Sequence, residues 1–329
     1  MLFLDNHIST DPTFNLALEE YAFEHLPDGE SLFMLWQNDH AVIIGKHQNT
    51  IEEIDRSYVE DQGIKVVRRL TGGGAVYHDL GNLNFTFITG KDSKETFDFK
   101  TFTRPVIKAL KKLGIEAEFN SRNDIAIDGK KISGNSQYAK RGRILHHGTL
   151  LFNAKLDVVQ KALKVKPEKI SSKGVKSVKS RVTNIIEYLE QPYSLESFRK
   201  ALTEAMFETG TLTAWELSKE EIKAVEKLQK EKYETWEWNY GESPAYDLRK
   251  DRKYPCGLVS VLMTINQGII RSIRFYGDFF GNREISELED HFKGICIEKA
   301  SLLKALHGIS PEDYISGMTD EEFLDLMLY

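Results

Sequence analysis

Cysteine, proline and long apolar runs are all scarce in this chain of 329 residues. Its two cysteines, Cys256 and Cys296, lie far apart with no C-x-x-C or metal-ligand spacing. That pattern excludes a disulfide framework and a zinc knuckle, and reduced structural thiols are expected. Eight prolines and 23 glycines, beside 41% hydrophobic and 29% charged residues, exclude collagenous and low-complexity classes and match an ordinary folded enzyme. No apolar run approaches the ~18 residues of a membrane span. The N-terminal stretch MLFLDNHISTDPTF also lacks a cationic n-region, so a cytoplasmic protein without a membrane partner is expected. Excess positive charge is missing too: 44 Lys and Arg against 50 Asp and Glu leave a net charge of −6. That balance is the opposite of a nucleic-acid binder's footprint, and no nucleic-acid partner is expected.

What is present reads as an α+β chain. Asp11 and Pro12 open a helix over residues 11–26 whose Phe14, Ala17, Leu18, Tyr21 and Ala22 share one stripe. Short β-rich runs follow at 32–36, 41–44, 65–69, 75–78 and 84–88, so the first half builds a sheet. Phe102, Val106, Ala109, Leu110 and Leu113 mark a second amphipathic helix stopped by Gly114, before strands return at 124–127 and 145–152. Asp128-Gly129 predicts a tight hairpin turn, and such short connections favour a mainly antiparallel or mixed sheet. Ser218-x-x-Glu221 forms a capping box for a highly charged, solvated helix reaching about Tyr233. A linker over 241–250 then separates a large domain, 1–240, from a small α+β accessory domain, 251–329. The latter has a hairpin turned at 266–268 and helices at 285–293, 298–307 and 311–328.

The most informative stretch is Arg68-Arg69-Leu70-Thr71-Gly72-Gly73-Gly74-Ala75-Val76-Tyr77-His78-Asp79-Leu80-Gly81-Asn82. Consecutive glycines let backbone N–H groups approach an anion, and the arginines supply charge for phosphate or carboxylate. Gly129 to Gly134 mimics the start of a Walker A loop but lacks its lysine, the dinucleotide fingerprint is absent, and no G-x-S-x-G nucleophile occurs. In the second element, Lys130-Lys131-Ile132-Ser133-Gly134, strict strand alternation puts Lys131 and Ser133 on one face, making Lys131 the candidate catalytic cation. His146 and His147 are adjacent and must point to opposite faces, so no protein-held transition metal is expected and His147 is a candidate hydrogen-bonding group. Residues 161–181 carry seven lysines and Arg181 against Glu168 alone, a stretch suited to a phosphate-bearing intermediate or an acidic partner.

Taken together, these motifs resemble lipoate-protein ligase A. The family's R-R-x-[ST]-G-G-G-A-V-x-H-D-x-G-N signature is matched by Arg68 to Asn82, its [RK]-K-[IV]-S-G element by Lys130 to Gly134, its H-H-G-T-L-L by His146 to Leu151 and its S-R-V-T-N by Ser180 to Asn184. Thr13 to Ala17, Trp36, Gly45, Gln48-Asn49 and Trp236 to Gly241 extend the likeness into the final domain.

The resemblance implies a biotin/lipoate-ligase catalytic domain, related to class II synthetase cores, with a C-terminal accessory domain. It also implies a two-step reaction: ATP and lipoate give lipoyl-AMP and pyrophosphate, then the lipoyl group passes to a lysine of an apo lipoyl domain. The implied acceptors are E2 subunits of 2-oxoacid dehydrogenases or the glycine cleavage H protein, with Mg2+ accompanying the nucleotide and the enzyme acting as a monomer. By the same resemblance Arg69, Gly72, Gly73, Gly74, Ala75, Val76 and Tyr77 hold the adenylate and Lys131 contacts carboxyl and phosphate oxygens. Trp36, His78, Asn82, Asp124, Ser133, Gly134, His147, Gly148 and Arg181 complete the candidate site, Asp124 as a candidate base, and residues 173–184 are expected to order over the adenylate. Two alternatives stay open: an octanoyl or lipoyl transferase of the same fold, which needs a cysteine nucleophile, and a non-catalytic lipoate or adenylate carrier.

Overall fold

The first helix, Pro12–His25, starts where Asp11 accepts the Thr13 N–H at 3.0 Å and Pro12 occupies the first turn. It is buried on nearly every side and therefore belongs to the core rather than the surface. The computed structural model describes residues 1–6, 8–90, 98–120, 123–163, 181–191, 193–207, 213–240, 248–266 and 268–328. The strands in chain order are β1 (Leu2–Asp5), β2 (Leu32–Trp36), β3 (Ala41–Ile44), β4 (Lys65–Arg68), β5 (Val76–His78), β6 (Asn82–Gly90) and β7 (Glu118–Asn120). They continue as β8 (Asp124–Ile127), β9 (Lys130–Lys140), β10 (Arg143–Leu151), β11 (Thr213–Ala214), β12 (Leu248–Tyr254), β13 (Gly257–Asn266) and β14 (Ile269–Gly277).

Among the described residues the first part of the chain makes two sheets, not the one expected. An eight-stranded sheet runs β11-β1-β2-β6-β10-β9-β8-β7, and β4-β3-β5 form a separate three-stranded sheet. Pairing is mixed: β6, β10, β9 and β8 are antiparallel neighbours, whereas β1–β2 and β3–β4 are parallel. The Asp128-Gly129 turn has φ of 50° and 72°, the left-handed pair that a two-residue hairpin demands.

Alternation along β6 sorts the large sheet into two unlike faces. Leu83, Phe85 and Phe87 meet Phe33, Leu35, Val106, Leu110, Phe198 and Leu202, an apolar layer covered by helices Phe99–Lys112 and Leu195–Met206. On the other side Leu32, Met34, Trp36, Ile88 and Leu145 pack with the first helix, but β6 places Asn84 and Thr86 there. Polar residues in the middle of a covered face mark the place where the core gives way to a site.

The capping box at Ser218 and Glu221 is formed in both directions. The charged helix it opens is not wholly solvated: Val225 and Tyr233 are fully buried against the first helix, where the Tyr233 hydroxyl donates to Glu20 at 2.7 Å. Strand β12 begins at Leu248, inside the expected linker, while 241–247 lie outside the described residues. Beyond it β12-β13-β14 and helices Ile285–Phe292, Lys299–Leu306 and Asp320–Leu328 enclose a core around Phe275, Phe292 and Phe323. The last expected helix is split at Gly317, whose φ is 84°. This unit touches the glycine loop directly: the Gly73 N–H donates to Phe279 O at 3.2 Å and His47 stacks on Phe279 at 4.7 Å. Among the described residues no helix is long and apolar enough to cross a membrane.

The turn after the glycine loop depends on contact rather than on dihedral freedom. Gly81 O accepts from Phe152 and Asn153 N–H, and a Cβ at Gly81 would lie 2.0 Å from Asn153 O. Gly81→Ala is therefore expected to cost ~1–3 kcal/mol through overpacking, read as a lowered Tm by calorimetry; an unchanged Tm refutes the close approach.

Candidate active site

Strand register assembles the site. Trp36 opposes Asn84 and Asn84 opposes Thr149, while in the next row Thr86 opposes His147 and His147 opposes Ser136. Opposed residues share a face, so these side chains point together toward the small sheet and its glycine loop. Between the sheets lies a cleft of about 650 Å3, open mouth included. Leu16, Trp36, Ile43 and Val76 form its apolar lining, and Asn84, Asn123, Lys131, Asn135 and His147 its polar lining.

The adjacent arginines face different ways. Arg69 reaches back under the loop: its Nη2 donates to Gly72 O at 2.6 Å and Gly74 O at 2.9 Å, Nη1 to Ile43 O at 3.2 Å and Nε to Thr71 Oγ1 at 2.9 Å. A fixed positive charge is thereby built into the cleft wall. Burial pulls the guanidinium down to about 10, which leaves it cationic at neutral pH. Arg68 is committed elsewhere, donating to Gly45 O, Lys46 O, Gln48 O, Thr50 Oγ1, Trp238 O and Asn239 O. The expectation that both arginines serve an anion is corrected for Arg68: it ties the 45–50 loop to the short helix Trp236–Asn239.

A buried chain of side chains backs the loop. Arg69 Nε–H donates to Thr71 Oγ1, the Thr71 hydroxyl lies 2.8 Å from His147 Nε2, and His147 Nδ1 lies 2.9 Å from Glu19 Oε1. Glu19, 1% exposed, also accepts from Thr86 at 2.6 Å, and Thr86 accepts from Trp36 Nε1 at 2.9 Å. Donor-only Arg69 at one end and an acceptor carboxylate at the other fix the polarity of this chain.

Lys131 is placed by an irregularity. Ile125 pairs with Ser133 and Ala126 with Lys131, so Ile132 is an extra residue on β9. The bulge breaks strict alternation and corrects the expected Lys131–Ser133 face: Ser133 is fully buried outside the cleft and donates nothing to it. Lys131 instead lies over Gly134, where a Cβ would be 2.8 Å from its Nζ, and pairs with Asp124 Oδ1 at 2.7 Å. Its backbone is braced by residues 181–183: the Lys131 N–H donates to Arg181 O at 2.8 Å and Thr183 N–H to Lys131 O at 3.0 Å.

The chain matches known families along most of its length. A family model described as lipoyl protein ligase A/B catalytic domain matches residues 11–207, and one described as bacterial lipoate protein ligase C-terminus matches 243–327. Lipoate-protein ligase LplJ of Bacillus subtilis is 47% identical over 99% of this chain and 100% of its own. The chain belongs to the lipoate-protein ligases. Among solved structures, an archaeal bipartite lipoate protein ligase from Thermoplasma acidophilum, studied with its E2 lipoyl domain, superposes with a TM-score of 0.65 at 32% identity, covering 75% of this chain and 98% of that one. Lipoate-protein ligase A bound with ATP gives 0.62 at 30%, covering 73% and 98%. LipL1 of P. falciparum in complex with lipoate shares the fold over 99% and 97%, at TM-score 0.79 and 22% identity. The biotin/lipoate-ligase fold is thus that of this ligase too.

Of the expected residues, the ligase cleft brings together Arg69, Gly73, Gly74, Ala75, Val76, Lys131, Trp36, His78, Gly134, His147 and Gly148. Gly72 lies behind them, its carbonyl accepting from Ser136 Oγ at 2.8 Å, and Tyr77 turns away to His40, 2.9 Å from its hydroxyl. Asn82 supports Asn84 from behind at 2.9 Å, and Asp124 reaches the site through Lys131. Arg181 arrives by its backbone, while 164–180, including most of the segment expected over the adenylate, lie outside the described residues. Sequence reading missed Glu19 and Asn84; polar residues within the apolar patterns of the first helix and of β6 were the available signal. Neither Cys256 nor Cys296 lines the cleft.

Three histidines are buried as neutral rings. Burial, with Lys46 and Arg68 nearby, pushes His47 down to about 3, and burial with Arg69 and His147 does the same to His78. His146, stacked on Phe102 at 5.0 Å, is held well below 6.5 by burial and His147. Unfolding lets each take up a proton near 6.5, so the unfolded state binds more protons between about 3 and 6.5 and stability falls as pH drops through that window. The urea midpoint is expected to be lower at pH 5 than at pH 7.5, and His47→Gln to flatten the slope by up to ~1.4 kcal/mol per pH unit. An equal slope in that variant refutes neutral burial of His47.

Proposed function

We propose that this chain is an ATP-dependent lipoate-protein ligase that makes lipoyl-AMP in the cleft and passes the lipoyl group to a lysine of a lipoyl domain. The observation that carries this reading is Lys131 Nζ poised above Gly134, across from the Arg69-braced glycine loop, in a cleft with no cysteine among its described lining residues. A carboxylate has a poor leaving group and does not acylate an amine unaided; a mixed anhydride with AMP supplies a good one. Forming it brings two anions together, and Arg69 and Lys131 offset their repulsion and stabilise charge at the α-phosphate. The thioester alternative lacks its nucleophile here.

Asp124 holds Lys131 at 2.7 Å, and its Oδ1 has no other partner among the described residues. Arriving phosphate oxygens compete for the lysine and leave this carboxylate to face the acceptor amine, whose ordinary pKa of ~10.4 requires a proton to be removed before attack. Among the described residues no cluster of three His, Cys, Asp or Glu could cage a metal. During adenylation, before the acceptor amine arrives, one carboxylate beside a phosphate site suits Mg2+ brought by the nucleotide, and Asp124 would be the protein's contribution to holding it. When bound, that ion would supply charge neutralisation at the phosphates. The acceptor class follows the archaeal relative studied with an E2 lipoyl domain; E2 lipoyl domains and the glycine cleavage H protein are the proposed acceptors, met in the cytoplasm by a monomeric enzyme.

Lipoate-dependent ATP–pyrophosphate exchange tests the first step, and the mass gain of an apo lipoyl domain the second. Lys131→Ala is expected to lower exchange by ~10²–10³-fold with little change in Tm. No exchange by the native protein would sink adenylation and favour a carrier; exchange without acceptor modification would sink the proposed acceptor class.

A further inference from the structure

A line of buried side-chain amides crosses the molecule from the N-terminal strand to His78. The Ile8 N–H donates to Asn6 Oδ1 at 3.0 Å, and Asn6 Nδ2 donates to Asn15 Oδ1 at 2.6 Å. Asn15 Nδ2 donates to Gln37 O at 2.5 Å and to Asn38 Oδ1 at 2.9 Å, and Asn38 Nδ2 stands 3.1 Å from His78 Nδ1. Asn6, Asn15, Asn38 and His78 are each at most 4% exposed. An amide can be turned either way, but this line cannot. A backbone N–H only donates and a backbone carbonyl only accepts, so Ile8 and Gln37 orient Asn6 and Asn15. Asn15 then orients Asn38, whose remaining N–H points at His78.

His78 Nδ1 is therefore an acceptor, and in a neutral ring the proton sits on Nε2. That nitrogen is buried, belongs to a residue lining the cleft, and has no hydrogen-bond partner among the described residues. Buried donors are rarely left unpaired, because the lost hydration goes uncompensated. The ring is neutral at physiological pH, since burial beside Arg69 and His147 pushes it down to about 3, so it acts as a donor and not as an acid.

Resting on the ligase reading, we propose that His78 touches the acyl-adenylate as a neutral hydrogen-bond donor. Its Nε2–H is given to a ligand oxygen, either the acyl carbonyl or the α-phosphate. Asn15 and Asn38 are positioning residues that fix the tautomer from the first helix and the loop after β2. No bond is made or broken at His78; the donor is preorganised for charge that grows on the oxygen.

The test begins with the ligand-free, histidine-15N-labelled protein, using His78→Gln to assign the resonances. The expected result is a protonated Nε2 and a bare Nδ1 at His78; the reverse tautomer or an imidazolium overturns the inference. Asn38→Asp offers only acceptor oxygens, so it is expected to move the proton to Nδ1 and to lower pyrophosphate exchange ~10²-fold while the fold, followed by Tm, persists. His78→Gln, whose amide N–H can replace Nε2–H, is expected to retain more exchange than His78→Ala. Lipoate binding without ATP separates the two oxygens: weakened binding in His78→Ala marks the acyl end, and unchanged binding with lost exchange marks the phosphate. Unchanged binding together with unchanged exchange overturns the contact. Absence of exchange in the native protein overturns the ligase reading, whereas a wrong tautomer in an exchange-active protein overturns this inference alone.

Discussion

The register between β6 and β10 is the constraint on which the site depends. With Thr86 opposite His147 and Asn84 opposite Thr149, these polar side chains of the central strands face the first helix and the small sheet. A slip of one residue would exchange them for Phe85, Phe87 and His146, which now fill the apolar layer. Because side chains alternate with a period of two, no intermediate arrangement exists. The register is held from the other side by that same apolar layer, in which helices Phe99–Lys112 and Leu195–Met206 accept only the aromatic face. Packing on one side of the sheet thus determines chemistry on the other.

Burying two neighbouring guanidinium groups is expensive, about several kcal/mol per ion before compensation. Neither Arg68 nor Arg69 is compensated mainly by a carboxylate. Both are surrounded by neutral carbonyl and hydroxyl oxygens of loops that would otherwise have unsatisfied acceptors. The two groups thereby define the loops as much as the loops hold them. For Arg68 the result is a structural tie between the 45–50 turn and the Trp236–Asn239 helix. For Arg69 it is a charge whose hydrogen bonds hold the glycine loop open toward the cleft, at a fixed depth. Gly45 makes this packing feasible, since a Cβ there would lie 1.9 Å from Gly73 O.

Much of this was legible in the sequence, and the remainder was illegible for definite reasons. Periodicity located the first helix, most strands and the Asp128-Gly129 turn, because each rests on contacts within a few residues. The long motifs located the glycine loop, Lys131 and His147. Local pattern could not show that the early strands divide between two sheets, since hydrogen bonding between Ile43 and Val76, or Phe33 and Phe87, is a choice of partner rather than of conformation. Nor could it show the extra residue Ile132, which reverses the expected company of Lys131. Asn15, Asn38 and His78 are separated by 23 and 40 residues, and nothing in any one of them reveals that the three form a line. Tyr233 was misjudged because a charged helix was read from its exposed face alone.

The two cations lining the cleft among the described residues differ in freedom, and the difference suits the order of events. Arg69 is anchored by four acceptors and cannot follow a moving charge. Lys131 is held by one carboxylate at the end of a flexible stem, its Nζ lying in the space that the missing Gly134 side chain leaves. A ligand carboxylate and a nucleotide phosphate arriving in the same cleft need a fixed charge to set their depth. They also need a movable one to track the oxygen on which negative charge accumulates. A lysine that can follow that oxygen meets it more closely in the transition state than in the ground state, and such differential contact is what accelerates a step. The bulge at Ile132 is what supplies the second kind of cation: it leaves Lys131 paired with Ala126 but sets its side chain over Gly134, the one residue in the strand that has no side chain to obstruct it.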